Sequence, residues 1–196
     1  MMVMRPIAFM LAALLWAGPA ASDPEPPDRA ALTAEARRAS QSLAQDLMDR
    51  LKTALAQQGP VHAIDVCHTQ APKIAAEISQ DRGLRVGRTS HRVRNPDNRP
   101  DAWEAAVLDD FIDRAADGAP VSELERSHID ATDGARVFRY MKAIPTKPLC
   151  LTCHGTDVAP AVRAAIDKRY PQDRATGFQV GDLRGAFTVS IPLNAD

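Results

Sequence analysis

Beyond its N-terminus the chain has no apolar run long enough to span a bilayer, so a multi-span membrane protein is excluded. Neither sign of charge is in excess. Lys and Arg number 24, Asp and Glu 25, and the net charge is −1. That is not a nucleic-acid-binding profile. No stretch repeats. No nucleophile elbow, phosphate-binding loop or H-E-x-x-H occurs, so no substrate-processing site is legible. Cysteine is scarce, with three in 196 residues. An odd count in an exported chain leaves one thiol without a disulfide partner.

Export is what the N-terminus predicts. Arg5 precedes an apolar run from Ile7 to Ala17, and the small residues Ala20, Ala21 and Ser22 follow. That order fits a secretory signal peptide over 1–22 and a bacterial periplasmic location, with an uncleaved anchor as the alternative. A Pro-rich acidic linker occupies 23–29, and 30–196 is the remaining domain. The mature chain, about 170 residues, is long enough for one domain with a real core. No stable membrane insertion is expected after cleavage.

Two of the cysteines fall in Cys150-Leu151-Thr152-Cys153-His154, followed by Gly155. This C-x-x-C-H is the attachment sequence for a c-type haem. Each thiol can add to one vinyl group, and His154 then lies under the iron as an axial ligand. One covalent haem c is the implied cofactor, and export places the chain where bacteria attach it. A zinc or dithiol protein using Cys67, His68, Cys150, Cys153 and His154 is the bland alternative. The long gap between Cys67 and Cys150 suits it poorly.

Asp28 can cap a helix running to about Gln58, with Leu32, Ala36, Ala39, Leu43, Leu47, Leu51 and Leu55 on one apolar face. Gly59-Pro60 breaks it. A second helix, Val61 to about Asp81, carries Ile64, Cys67, Ala71, Ile74 and Ile78 at helical spacing. Cys67 is thus on the stripe that faces the core, and His68 is rotated about 100° from it. Pro72 is expected to kink the helix or open its hydrogen bonding one turn later.

Leu84 to Arg94 then reads as an Arg-rich strand with Arg88, Arg92 and Arg94 on one face. Asp101 caps a helix to about Asp117. Val121 to Ile129 and Ala135 to Ala143 read as strands around an Asp133-Gly134 turn. A short helix over Pro160 to Lys168, a polar loop from Tyr170 to Gly181 and a last strand from Arg184 to Pro192 complete the chain. The fold class is α+β, an antiparallel sheet with flanking helices and a long N-terminal helical region.

Several separated segments resemble a family of single-haem c-type proteins with a PAS-like α+β fold. They are Val66-Cys67 with Ala71-Pro72, Arg88-Thr89-Ser90 through Arg94-Asn95-Pro96, Asp101-Ala102-Trp103-Glu104, Cys150 to Gly155, and Tyr170-Pro171 through Ala175-Thr176-Gly177 to Gly181-Asp182-Leu183-Arg184-Gly185-Ala186-Phe187. The resemblance spans roughly residues 30 to 193, as a stand-alone exported member. It implies haem held through the C-x-x-C-H and a cysteine thiolate as the second axial ligand, which here is Cys67.

From the residues alone, His68, His62, His91, His128 and Met141 remain other candidates for that position. A thiolate would stabilise ferric iron and lower the potential. Arg88, Arg92 and Arg94 are candidates for the haem propionates, because guanidinium pairs well with carboxylate. Phe138, Tyr140 and Phe187 are candidates to pack on the ring. The function expected is electron transfer or haem-based redox or gas sensing. It would be exercised with a redox partner or a separate signalling protein, and a small gas is an admissible ligand. The alternative is a haem enzyme, peroxidase-like or nitrogen-oxide-processing, with His68 as its acid–base group.

Overall fold

The structure is a computed structural model that describes residues 28–132 and 135–193. The expected signal peptide, most of the expected linker and the expected Asp133-Gly134 turn lie outside the described residues.

Helix α1 (Arg29–Arg82) begins where Asp28 accepts hydrogen bonds from the backbone N–H groups of Ala30 and Ala31. A side-chain oxygen there satisfies donors that have no partner within the helix. Arg29 is the first helical residue, as a cap at Asp28 requires. Within α1 only Gly59 leaves helical geometry, at φ 78° and ψ −177°, a region essentially reserved for glycine. Glu35 and Arg82 lie about equally far on either side of it, and Arg82 Nη1 donates to Glu35 Oε1 at 2.8 Å. The two limbs therefore fold back on each other as a helical hairpin. Pro72 does not break the helix: the dihedrals stay helical through that turn, and what it opens is the one hydrogen bond its missing N–H would have made. The ring removes one donor, but the limb is held by packing on both sides: Ala71, Ile74 and Ile78 are all buried. Gly83, with φ 63°, caps the end.

Four strands follow: β1 (Arg85–Thr89), β2 (Glu125–Thr132), β3 (Ala135–Pro145) and β4 (Leu183–Leu193). They form one antiparallel sheet in the order β1-β4-β3-β2. Helix α2 (Ala102–Ala116) starts with a capping box in which Asp101 and Glu104 each accept the other's backbone N–H. A one-turn helix α3 (Leu151–His154) and helix α4 (Pro160–Arg169) precede β4.

The sheet is covered on both faces. On one, Ala36, Ala39, Leu43, Ile74 and Ile78 of α1 pack on Val86, Phe138, Tyr140 and Val189. On the other, Val107, Leu108 and Phe111 of α2 pack on Met141, Ala143 and Ala186. Each large side chain so buried contributes about 1.5–3 kcal/mol. This is the α+β class read from the pattern.

The two largest departures from the expected strand boundaries are at the end of β1 and the start of β2. β1 stops at Thr89 rather than Arg94. Ser90 Oγ turns to donate to the Arg184 carbonyl at 3.0 Å and accepts from Arg92 N at 3.1 Å, which bends the chain out of the sheet. Val121–Glu123 is a 3-10 turn and only Glu125 onward is strand. The Pro120 and Val121 carbonyls accept from Glu123 N and Leu124 N, which closes the turn and keeps these donors from a ladder.

Candidate functional site

The hairpin, the ends of β1 and β3, the start of β4 and the Pro148–His154 segment enclose a cavity of about 530 Å³, within the range of cofactor sites. Leu47, Leu51, Leu55 and Ile64 of α1 line it, with Ile144 and Phe187 from the sheet. The apolar face of the first limb thus does two things. Its first turns cover the sheet, and its last turns wall the cavity.

Pro148–Cys150 forms a 3-10 turn that runs directly into α3. Cys150, Cys153 and His154 all border the cavity. The chain leaves α3 at Gly155, where an added Cβ would stand 2.7 Å from the Leu151 carbonyl oxygen. Only glycine permits that exit without displacement.

His154 is held from behind. Its Nδ1 lies 2.6 Å from the Ala175 carbonyl oxygen. A carbonyl can only accept, so Nδ1 carries the proton and Nε2 carries the lone pair. Burial, and then the nearby Arg184 and Arg94 cations, hold its pKa well below the ordinary value, so the ring is neutral. Its ring meets Phe178 edge-on, with centroids 6.4 Å apart.

The loop behind His154 is laced to α3. Phe178 N donates to the His154 carbonyl at 2.9 Å, and Gly177 N to the Gly155 carbonyl at 2.8 Å. Asp173, with its side chain 2% exposed, pairs with Arg94 at 3.0 Å and accepts from Ala175 N at 3.0 Å. Arg94 Nη2 reaches on to the carbonyls of Cys153, at 2.6 Å, and Ala175, at 3.2 Å.

Cys67 opens on the same cavity from the second limb of α1. Its accessible surface is that of an exposed residue, but this surface faces the cavity. Burial pushes its thiol pKa up, and the Arg88 and Arg94 cations oppose that rise. His68 does not line the cavity and instead packs edge-on against Tyr170, with ring centroids 5.0 Å apart. The remaining candidates lie elsewhere. His91 pairs with Asp109 at 2.8 Å, His128 stacks on Trp103, Met141 is buried against α2, and His62 is not part of the lining.

The arginines divide differently from the sequence expectation. Arg88 and Arg94 line the cavity and Arg92 does not. Because β1 ends at Thr89, Arg92 swings to donate to the Thr176 carbonyl and lies 4.0 Å over the Phe178 ring. Sequence reasoning missed Arg184, which lines the cavity with Nη2 3.5 Å from His154 Nε2. The signals available were its place in the Gly181–Phe187 segment that carries the resemblance and its position at the head of a largely apolar strand. Phe138 and Tyr140 are likewise not at the site, since they belong to the core under α1, while Phe187 does line the cavity.

Arg88, Arg94, Lys147 and Arg184 give this wall four cations, and among the described residues lining it none is Asp or Glu. A largely apolar cavity with unbalanced cations, two neighbouring thiols and an imidazole lone pair fits a flat apolar cofactor with acidic substituents. A porphyrin dicarboxylate is such a group. Among the described residues no three His, Cys, Asp or Glu side chains gather as a metal site, so the zinc arrangement considered above is not assembled.

The profile of the Tll0287-like family (Tll0287) matches residues 28–192. Among solved structures, the chain is similar to the cyanobacterial heme-protein Tll0287. The identity is 28% and the TM-score 0.64, over 87% of this chain and 99% of that one. No curated protein matches.

Proposed function

The chain belongs to the Tll0287-like family, and on that premise we propose that it is an exported protein carrying a single covalent haem c. The solved relative is described as a heme-protein. Cys150 and Cys153 would hold it through two thioethers, and His154 and Cys67 would bind its iron. The observation that carries this reading is the meeting of these four residues on one apolar cavity whose lining holds cations and no carboxylate.

When bound, haem supplies one-electron chemistry and a ligand-binding iron. The polypeptide then does the rest. The Ala175 carbonyl accepts a hydrogen bond from His154 Nδ1–H and so orients Nε2 for a metal. Leu47, Leu51 and Leu55 keep water from the ring. A thiolate from Cys67 favours the ferric state, because its negative charge offsets iron's positive charge. These properties suit an electron carrier, or a haem-based redox or gas sensor. Either works in the periplasm with a redox partner or a separate signalling protein. The enzyme reading needed His68 as an acid–base group, and its contact with Tyr170 lends that no support.

The test is to express the protein with an export signal and haem-maturation machinery, then record absorption and electron paramagnetic resonance spectra of the ferric form. Haem that resists acid–solvent extraction, with a low-spin thiolate signal abolished in Cys67→Ala, is the expected result. Protein without haem refutes the reading. High-spin covalent haem unchanged in Cys67→Ala removes Cys67 from the iron.

A further inference from the structure

The cations on the cavity wall differ in what answers their charge. Arg94 has Asp173 and two backbone carbonyls. Lys147 is exposed to solvent. Arg88 and Arg184 have neither. Among the described residues no carboxylate pairs with either guanidinium. Arg184 has only His154 Nε2 at 3.5 Å and the face of Phe178 at 5.2 Å.

The two side chains are also built in. Arg88 projects from β1 and Arg184 from the start of β4, and these strands are neighbours in the sheet. The bond from Ser90 Oγ to the Arg184 carbonyl ties the two strands together at that end. Phe178, 3% exposed, lies between Arg92 and Arg184 and braces the latter. Groups set on sheet strands and propped by packed neighbours are positioned more closely than groups on loops.

Two half-buried like charges on one cavity wall are unfavourable unless an anion joins them. A guanidinium offers parallel N–H donors that match a carboxylate in two-pronged fashion. Two such forks call for a ligand with two carboxylates.

We infer that Arg88 and Arg184 are a carboxylate-binding pair that holds the two propionates of the haem, while Arg92 and Arg94 brace the loop behind His154. The inference rests on the haem reading above. It reassigns the arginines by what each contacts, and it gives Arg184 a role that no spacing in the chain suggested.

The experiment uses the full chain, exported and loaded with haem whose propionate carbons carry ¹³C from a labelled precursor. Covalent haem is quantified first in the wild type. Redox-difference infrared spectra then read the labelled carboxylate bands, and potentiometry reads the ferric–ferrous equilibrium. Arg88→Gln and Arg184→Gln should each move the labelled bands. Each should also shift the equilibrium toward ferric about tenfold, or about 59 mV for one electron. Arg85→Gln removes an exposed charge from the same strand and should move no band.

Arg184→Lys keeps the charge but loses the fork. It should move the bands while holding the equilibrium within about threefold of wild type. If the glutamine variants give no loaded protein, the lysine variant decides on its bands alone. Unmoved bands in loaded variants overturn the pair while the haem reading stands. A wild type without covalent haem overturns both.

Discussion

His154 Nδ1 lies 2.6 Å from the carbonyl oxygen of Ala175, a residue 21 positions further along the chain. That contact makes Nδ1 the donor and leaves Nε2 with the free pair. What aims His154 is therefore the loop around Ala175, and that loop is set by Asp173 and Arg94. Consequences for stability and ligation follow from these contacts.

Asp173→Ala removes the partner of a cation whose side chain is 10% exposed and frees Ala175 N. Leaving the nearly buried Arg94 with backbone carbonyls but no counter-charge should cost about 3–5 kcal/mol. Urea unfolding measures this directly. A loss below about 1 kcal/mol would show that the pair does not hold the loop.

Cys67→Ala should leave stability almost unchanged, because the thiol faces the cavity and donates to nothing in the protein core. On the haem reading the same change should replace the low-spin thiolate spectrum and raise the reduction potential, since a negative ligand is lost. Paired spectra and potentiometry of the two proteins check it. An unaltered potential with an unaltered spectrum would place another group on the iron.

Gly59→Ala isolates a backbone effect. No atom comes within 4 Å of the added Cβ, so contacts are not the issue. The dihedrals are the issue, and a side chain at φ 78° and ψ −177° should cost about 1–3 kcal/mol. Thermal or urea unfolding reads the loss. An unchanged midpoint would mean that the hairpin can reverse by another geometry.

Glu35→Gln tests the clasp between the hairpin limbs. Hydrogen bonds from Arg38, then Arg82, lower the Glu35 pKa from its ordinary 4.5. A depressed carboxylate contributes stability that is complete above its unfolded value and lost as pH falls through the lower folded value. The contribution of Glu35 is therefore present at neutral pH and fades below pH 4.5. Both partners are partly exposed, so the loss at pH 7 should be about 0.5–1 kcal/mol. Unfolding curves of the two proteins should differ at pH 7 and converge toward pH 3. A gap that persists at low pH would assign the effect to something other than charge.

Features carried by neighbouring residues were legible in the chain. Gly59-Pro60 marks the reversal of the hairpin, because only glycine takes those dihedrals and proline suits a first turn. Asp101 with Glu104 announces the start of α2. The stripe Ile64, Cys67, Ala71, Ile74, Ile78 is real, with Ile64 and Ala71 buried and Cys67 open to the cavity. Pro72 costs the second limb one hydrogen bond without ending it, because packing on both sides holds the helical dihedrals. The arginine strand misled. Period-two reasoning assumes that the strand continues, and the bond from Ser90 to the Arg184 carbonyl, 94 positions away, ends it.

The sequence by itself determined the break between two helices at Gly59-Pro60, the α+β class and the grouping of Cys150, Cys153 and His154. Each depends on residues within a few positions of one another, where backbone geometry sets the distances. Only the tertiary structure decided which side chains share the cavity. It brought Cys67 and Arg184 to its wall, sent Arg92 to Phe178, tied Arg94 to Asp173 and turned His68 toward Tyr170. Those outcomes depend on partners far apart in the chain, and the covering of the sheet by α1 and the lacing of the loop to α3 bring such partners together.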